Sequence, residues 1–180
     1  MNYHNITTAD MMNGDGLRVV LWLSGCEHHC EKCQNPQTWD IKSGIEFDID
    51  AKEELFAELD KDYISGITFS GGDPLNKNNV NDVLTLVELI RNLYPHKSIW
   101  IYTGFYWEEM FGIHFDEQHP DILKLNEKRK EIILNCDVLI DGRYMDNLRD
   151  TTLKWRGSTN QRVIDVQKTL QYNEVVLYCD

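Results

Sequence analysis

Short apolar runs alternate along the chain with stretches whose apolar positions recur at helical spacing. The apolar runs consist mainly of β-branched, leucine and aromatic side chains, which favour buried strands. Strands are predicted over residues 17–23, 64–69, 98–102, 138–140, 162–165 and 174–178. Helices are predicted over residues 50–60, 79–94, 106–111 and 122–134. Asp50 is the expected N-cap of the first helix, and a polar surface loop is predicted over 112–121.

The alternation of strands and helices is typical of an α/β fold, with a parallel sheet and helices on its outside. A complete eight-unit β/α barrel takes about 250 residues, whereas this chain has 180. The expected fold is therefore a partial, open parallel β/α barrel. The chain contains no internal repeat, low-complexity segment or linker, so a single domain over residues 1–180 is expected.

Four of the predicted strands end in small or polar residues. These ends are Ser24-Gly25-Cys26, Ser70-Gly71-Gly72-Asp73, Thr103-Gly104 and Asp141-Gly142. In parallel α/β folds the carboxyl ends of the strands form the functional face. We therefore expect the cysteine-containing loop after the first strand and the Gly-Gly-Asp turn after the second to meet at one mouth.

Composition narrows the class of function. The formal net charge is −12, which disfavours nucleic acid as a partner because phosphate binding needs a basic patch. No run of about 18 apolar residues occurs, so no membrane span is expected. The amino-terminal residues lack the pattern of a secretory signal, and five cysteines are an odd number, which argues against a disulfide framework. We expect a cytoplasmic protein in a reducing compartment.

The chemistry concentrates in three cysteines, Cys26, Cys30 and Cys33, which follow the first predicted strand. Their Cys-x3-Cys-x2-Cys spacing allows three thiolates to ligate one metal centre. An iron–sulfur cluster normally takes four cysteine thiolates. Three protein ligands would leave one iron with an open position, and an open position on a metal indicates catalysis.

A zinc site is the alternative interpretation, and it would need a fourth ligand. The candidates are His28, His29 and the distant Cys136, but two histidines in so short a loop would fold back poorly beside three cysteines. Both histidines are otherwise interpreted as solvated loop residues. Cys136 is interpreted as a small buried hydrophobic residue, and Cys179 receives no role.

The turn Ser70-Gly71-Gly72-Asp73-Pro74 has two interpretations. It is an ordinary strand-to-helix turn, in which glycine supplies positive φ. Beside the cysteines it also suits a binding role, because two glycines let a ligand approach the backbone and its polar groups closely.

These motifs together resemble the radical S-adenosylmethionine superfamily. Cys26-x3-Cys30-x2-Cys33 is the signature of that superfamily, and residues 70–74 resemble its glycine-rich motif. Residues 1–4, 13–16 and 155–161 extend the resemblance to the family of activating proteins of anaerobic (class III) ribonucleotide reductases. This family usually has proline at the position of Asp15 and tyrosine at the position of Gln34, which offers hydrogen bonds but no ring face.

The resemblance implies a partial barrel of the radical S-adenosylmethionine type with two cofactors. Cys26, Cys30 and Cys33 would bind a 4Fe–4S cluster, whose fourth iron would take S-adenosylmethionine. Cofactor contacts are implied at Lys32, Cys33, Gln34, Gly71, Gly72 and Asp73. Arg143 and Arg156 are candidates for the S-adenosylmethionine carboxylate. The cofactors carry the chemistry, so no catalytic side chain is implied.

The implied reaction is reductive cleavage of S-adenosylmethionine to a 5′-deoxyadenosyl radical. This radical would generate a glycyl radical on the catalytic subunit of anaerobic ribonucleoside-triphosphate reductase, with flavodoxin or ferredoxin as the electron donor. The partner's glycine loop is expected to dock at the strand carboxyl ends. One alternative is the activase of another glycyl-radical enzyme of the pyruvate formate-lyase type. Another is a non-catalytic iron–sulfur electron-transfer module, for which Cys136 would be the fourth ligand.

Overall fold

The computed structural model describes residues 1–112 and 120–179. The strands are β1 Asn2–Asp10, β2 Arg18–Leu23, β3 Ile45–Glu46, β4 Gly66–Gly71, β5 Ser98–Tyr102, β6 Val138–Asp141, β7 Arg162–Asp165 and β8 Leu177–Cys179. The helices are α1 Ile49–Leu59, α2 Val80–Leu93, α3 Trp107–Phe111, α4 Pro120–Leu134 and α5 Val166–Tyr172. The strands form one eight-stranded sheet in the order β3-β1-β2-β4-β5-β6-β7-β8, which confirms the α/β class. No helix within the described residues is long and apolar enough to cross a membrane.

The four central strands β2, β4, β5 and β6 run parallel, as the alternating pattern predicts. The remaining strands pair antiparallel at both edges, so the sheet is mixed and the expectation of a wholly parallel sheet is corrected there. A parallel pair needs a long crossover, usually a helix, whereas antiparallel neighbours accept a direct connection. β1 reaches β2 through the loop 11–17, and β6 reaches β7 through residues 142–161, which contain no α-helix.

Several local predictions change in the structure. β1 is missing from the sequence prediction because it is largely polar and buries only two apolar side chains, Tyr3 and Ile6. Asp48, not Asp50, caps α1, since its carboxylate accepts the backbone N–H of Ala51. Helix α5 is absent from the sequence prediction, and the strand expected over 174–178 is found at Leu177–Cys179. Most of the loop predicted over 112–121 lies outside the described residues.

The two faces of the sheet differ in chemistry because side chains alternate along each strand. One face carries Val19, Leu21 and Leu23 of β2 and forms the main apolar core with the helices. We call the opposite face the inner face. It holds a smaller cluster around Trp100, together with the fully buried Arg18. The inner face therefore buries a charged group as well as apolar side chains. The candidate site lies at the edge of this face where the parallel strands have their carboxyl ends.

Candidate functional site

A cavity of about 200 Å³ lies at the carboxyl ends of β2, β4, β5 and β6. Its wall includes the three clustered cysteines, the turn after β4, Thr103 and Gly104 after β5, and Gly142 after β6. The predicted meeting of the cysteine loop and the Gly-Gly-Asp turn at one mouth is therefore confirmed. Parallel strands bring these segments together because they end at the same edge of the sheet.

The cysteine loop is held by the segment that follows it. The backbone N–H of Gly25 donates to the carbonyl of Thr38 at 2.7 Å, and that of Cys26 donates to Trp39 at 3.0 Å. Within the loop, the N–H of Cys33 donates to the carbonyl of Cys30 at 3.1 Å. The start of the loop is thus bound to the segment 38–39, the loop closes on itself between Cys30 and Cys33, and its thiols remain partly exposed to the cavity.

The sulfur atoms lie in partly buried surroundings that contain backbone donors. Burial raises the pKa of the Cys26 thiol to about 11, and the nearby Asp73 carboxylate adds to that rise. Burial also raises the pKa of Cys30, whereas the backbone N–H of Tyr144 opposes the shift. The N–H of Asn35 donates to Cys33 Sγ at 3.3 Å. Metal ligation must therefore displace protons from these thiols, and backbone dipoles are in place to stabilise the sulfur charge.

The other two cysteines do not line the cavity. Cys136 is fully buried, and its Sγ–H donates to the carbonyl of Ile132 at 3.0 Å. Its interpretation as a small buried hydrophobic residue is confirmed. Cys179 packs against the inner cluster around Trp100. All five cysteines belong to the described residues, so the cavity offers three thiols and no fourth.

A single-ion site finds no support in the described part of the chain. No three carboxylate, imidazole or thiol groups there converge closely enough to hold one metal ion. The zinc interpretation required that convergence, with a histidine or Cys136 as a fourth ligand. A 4Fe–4S cluster binds its thiolates through separate irons, so its ligands need not meet at one point.

The glycine turn is joined directly to the cysteine loop. The N–H of Gly72 donates to the carbonyl of Leu23 at 2.7 Å, and that of Asp73 donates to Gly25 at 2.8 Å. Gly71 has a φ of +95°. A Cβ at Gly72 would lie 2.6 Å from the carbonyl oxygen of Gly25. Both glycines line the cavity, but close packing against the end of β2 already explains why side chains are excluded there.

Asp73 is almost fully buried beneath this turn and accepts hydrogen bonds from several segments. Its Oδ1 accepts from the N–H of Leu75 at 2.8 Å, and its Oδ2 accepts from the N–H of Gly104 at 3.0 Å. The hydroxyl of Thr103 lies 3.0 Å from both carboxylate oxygens. The carboxylate therefore connects the ends of β4 and β5.

His28 completes this arrangement, and the prediction that it is a solvated loop residue is wrong. Its side chain is only 9% exposed, and its Nε2 lies 2.6 Å from Asp73 Oδ2. The imidazole meets the ring of Phe105 edge-on, with the centroids 4.7 Å apart. His29 is exposed, as predicted, and lies beside Trp39. The residue type alone could not distinguish the two histidines, because the partner of His28 is distant in sequence.

The remaining predicted residues fall into two groups. Gln34, Arg143 and Arg156 line the cavity together with the predicted glycines. Lys32 does not line it; its exposed ammonium group pairs with Asp146 at 2.5 Å. Lys32 therefore links the cysteine loop to the connection between β6 and β7.

The segment 155–161 forms the far wall of the cavity. Gln161 organises it, because its Oε1 accepts from the N–H of Gly157 at 3.0 Å and its Nε2 donates to the carbonyl of Gly142 at 3.0 Å. Arg156 donates through Nη1 to the carbonyl of Gln161 at 2.9 Å. Among the described residues, its buried Nε has no hydrogen-bond partner. In the sequence this segment contributes to the family resemblance, and no role for Gln161 is predicted from it.

Comparison with known proteins agrees with this geometry. Residues 12–164 match the family model of a 4Fe-4S single cluster domain. A relative from Enterobacteria phage T4 is 39% identical over 163 residues, covering 91% of this chain and 93% of its own. A relative from Escherichia coli K12 is 38% identical over 165 residues, covering 91% and 97%. A relative from Vibrio cholerae is 34% identical over 163 residues, covering 89% and 96%. Each is named anaerobic ribonucleoside-triphosphate reductase-activating protein.

Proposed function

Because the chain belongs to the family of anaerobic ribonucleoside-triphosphate reductase-activating proteins, we propose that it activates such a reductase by generating a glycyl radical on its catalytic subunit. The observation that carries this proposal is the cavity itself. Three thiols and no fourth line it, and the glycine turn forms part of the same wall. This donor set fits a 4Fe–4S cluster with one iron left for a small ligand.

Cys26, Cys30 and Cys33 would hold the cluster, and the cavity wall would hold S-adenosylmethionine. When bound, the reduced cluster would supply the one electron needed for reductive cleavage of S-adenosylmethionine to methionine and a 5′-deoxyadenosyl radical, and this radical would take a hydrogen atom from the partner's glycine. The protein's part is to position the two cofactors and to exclude competing reactions. Gly71 and Gly72 contribute by letting this part of the cavity wall pack directly against the end of β2 and the start of the cysteine loop.

Arg156 is the best-supported partner for the carboxylate of S-adenosylmethionine. It lines the cavity and has a buried Nε without a partner in the described structure. A guanidinium group pairs with a carboxylate through two parallel hydrogen bonds, so such a ligand would satisfy that donor. Arg143 also lines the cavity but is exposed to solvent, where an ion pair contributes little.

Gln34 lines the cavity beside Cys33 and offers its amide to the cofactor. Lys32 would act on the same site indirectly, because its ammonium group is paired with Asp146. The open mouth of the cavity at the strand ends is the proposed entry for the partner's glycine loop. The proposal includes flavodoxin or ferredoxin as the electron donor and a cytoplasmic location.

Cysteine substitution tests the proposal directly. Cys26→Ala, Cys30→Ala and Cys33→Ala should each lose the reconstituted cluster and abolish glycyl-radical formation on the reductase. Iron and sulfide analysis and electron paramagnetic resonance of the reduced protein and of its partner measure these effects. Cys136→Ala and Cys179→Ala are matched controls and should retain the cluster, because neither residue lines the cavity. Full radical formation by any variant of the first group would exclude the ligand assignment.

The response of the cluster signal to S-adenosylmethionine distinguishes this function from simple electron transfer. Binding at an open iron should shift the electron paramagnetic resonance signal of the reduced cluster. An unshifted signal together with a fourth protein ligand would support a non-catalytic module instead.

A further inference from the structure

We propose that His28 and Asp73 form a buried positioning pair that fastens the cysteine loop to the ends of β4 and β5. On this view Asp73 acts on the site through His28 and does not contact S-adenosylmethionine. The inference concerns how the proposed cluster ligands are held, so it rests on the proposed function for its meaning. The geometry of the pair itself is independent of any bound group.

The carboxylate of Asp73 has little capacity left for a ligand. It accepts the N–H of Leu75 and of Gly104, the hydroxyl of Thr103 and a ring N–H of His28. An ionised carboxylate has about four lone-pair sites, and four protein donors occupy them here. Asp73 is also only 2% exposed. A methionine amino group could bind it only by displacing one of these donors.

The hydrogen bond between the pair has a defined direction. The other groups on the carboxylate are donors, so the carboxylate acts as an acceptor and the His28 Nε2 carries the proton. The Nε2–Oδ2 distance of 2.6 Å is that of a strong, charge-assisted hydrogen bond. Because the carboxylate lies in a buried site, leaving it without this donor would be costly.

Packing fixes the ring as firmly as the hydrogen bond does. Phe105 meets the imidazole edge-on at 4.7 Å. The imidazole also packs against Gly104. A Cβ at Gly104 would lie 2.3 Å from Cδ2 of the imidazole, so only glycine at this position leaves room for the ring. The ring is therefore enclosed by the two residues that follow Thr103.

The position of His28 in the chain explains how the pair acts on the cysteines. It lies between Cys26 and Cys30, two residues from each. Anchoring its side chain constrains the backbone that carries both thiols. Asp73 is at the same time bound to Gly25 through its backbone N–H, at 2.8 Å. The cysteine loop is thus attached to Asp73 both before and after Cys26.

The first test uses the cluster-free protein. His28→Leu, Asp73→Asn and the double variant are compared by urea unfolding. If the two side chains act as one unit, the free energy of unfolding of the double variant should be close to that of the less stable single variant. Losses that simply add would overturn the pair. This measurement needs no cofactor, so it remains decisive even if the proposed function fails.

The second test uses the reconstituted protein. His28→Leu should lose most of its iron and sulfide, and His28→Gln should recover much of it because glutamine keeps an N–H donor. His29→Leu is the matched control, since His29 is exposed and adjacent, and it should bind iron like the unchanged protein. Equal retention by His28→Leu and His29→Leu would overturn the positioning role.

The third measurement separates positioning from cofactor contact. In Asp73→Asn, molecules that still hold the cluster should bind S-adenosylmethionine with an affinity close to that of the unchanged protein, and their reduced-cluster signal should be broadened. Full iron content combined with a tenfold or greater loss of S-adenosylmethionine affinity, about 1.4 kcal/mol, would overturn the proposal. If Asp73→Asn does not fold, the comparison of His28→Leu with His28→Gln still decides it.

Discussion

Two buried charges bridge the same three strands at opposite ends. Arg18 opens β2 and lies at the amino ends of β2, β4 and β5, whereas Asp73 lies just past their carboxyl ends. Both side chains are at most 2% exposed. Within the described residues, Arg18 has no carboxylate at ion-pair distance, and Asp73 is paired only with the imidazole of His28. Each is instead surrounded by hydrogen-bonding groups from several segments of the chain.

Each of the three side-chain nitrogens of Arg18 donates to neutral acceptors. Its Nε donates to the hydroxyl of Thr68 at 2.8 Å. Its two terminal nitrogens donate to the carbonyls of Asp15, Ile67 and Ser98 and to the Ser98 hydroxyl. Burial lowers the pKa of Arg18 to about 10, so the group remains charged at neutral pH. Its Cζ also lies 5.0 Å from the ring centroid of Trp100.

The difference between the two ends is what lies beside each charge. Arg18 lies against the ring of Trp100, which itself meets Trp155 edge-to-face with ring centroids 4.8 Å apart, so its neighbours are the aromatic residues of the inner face. Asp73 lies beneath an open cavity that carries the thiols. A buried charged group held by several hydrogen bonds therefore stabilises the fold at one end of the strands and positions the proposed cluster ligands at the other. Variants at the two ends should separate these effects.

The largest loss of stability is expected for Arg18→Met. The change leaves three backbone carbonyls without their buried donor, which costs about 3 kcal/mol or more. For a chain of this size the unfolding midpoint should fall by about 6–12 °C, measured by circular dichroism. At low temperature the folded fraction should still hold a full cluster. A variant that keeps its midpoint but loses iron would reverse the roles of the two ends.

Sequence patterns predict the face of the sheet that forms the main apolar core better than they predict the inner face. The runs 17–23 and 98–102 are predicted as strands because they carry apolar residues, Val19 and Leu21 in the first run and Ile99 and Ile101 in the second. The burial of Arg18 could not be predicted, since its acceptors on β4 and β5 are set by the register between strands. The antiparallel edges were missed for a related reason. Strand direction depends on connections that carry no periodic signal.

The site shows the same division between local and distant information. The cysteine spacing and the glycine turn are contiguous in sequence, and their meeting at one mouth followed from the α/β pattern alone. The contact between His28 and Asp73 spans 45 positions, and the hydrogen bond from Gln161 to Gly142 joins the two ends of the connection between β6 and β7. Such pairings arise only when the strand ends are assembled, so residue type and spacing could not identify them.

A smaller loss of stability is expected from two matched glycine substitutions, which should differ in their effect on cluster content. A Cβ at Gly66 would lie 2.0 Å from the Ser98 carbonyl oxygen, and one at Gly72 would lie 2.6 Å from that of Gly25. Each clash is with backbone, so Gly66→Ala and Gly72→Ala should each cost about 1–3 kcal/mol. Urea unfolding measures the cost.

Cluster content then distinguishes the two glycines. Gly66 lies at the amino end of β4, far from the cavity, whereas Gly72 touches the start of the cysteine loop. Iron and sulfide per folded chain should therefore fall in Gly72→Ala and remain unchanged in Gly66→Ala. Equal iron loss in both variants would mean that general destabilisation, and not the position of the loop, controls cluster retention.

The smallest effect on stability is expected at Arg156, which is the counterpart of Arg18 at the open end. Arg18 has its donors occupied by the protein, whereas Arg156 makes one bond to Gln161 and has a buried Nε without a partner in the described chain. Arg156→Gln should cost about 1 kcal/mol or less in unfolding and leave iron content unchanged. Its affinity for S-adenosylmethionine should nevertheless fall about tenfold or more, because a charge-assisted bond to the carboxylate is lost.

Titration of the reduced-cluster signal with S-adenosylmethionine measures that affinity, and Arg143→Gln provides the control at an exposed position of the same cavity. A solvated arginine contributes little to an ion pair, so this control should bind almost normally. If Arg143→Gln lost more affinity than Arg156→Gln, the carboxylate would lie at the rim, and the unpaired Nε of Arg156 would not mark its place. The expected order instead makes the unsatisfied arginine the binding group and the saturated Arg18 a part of the fold.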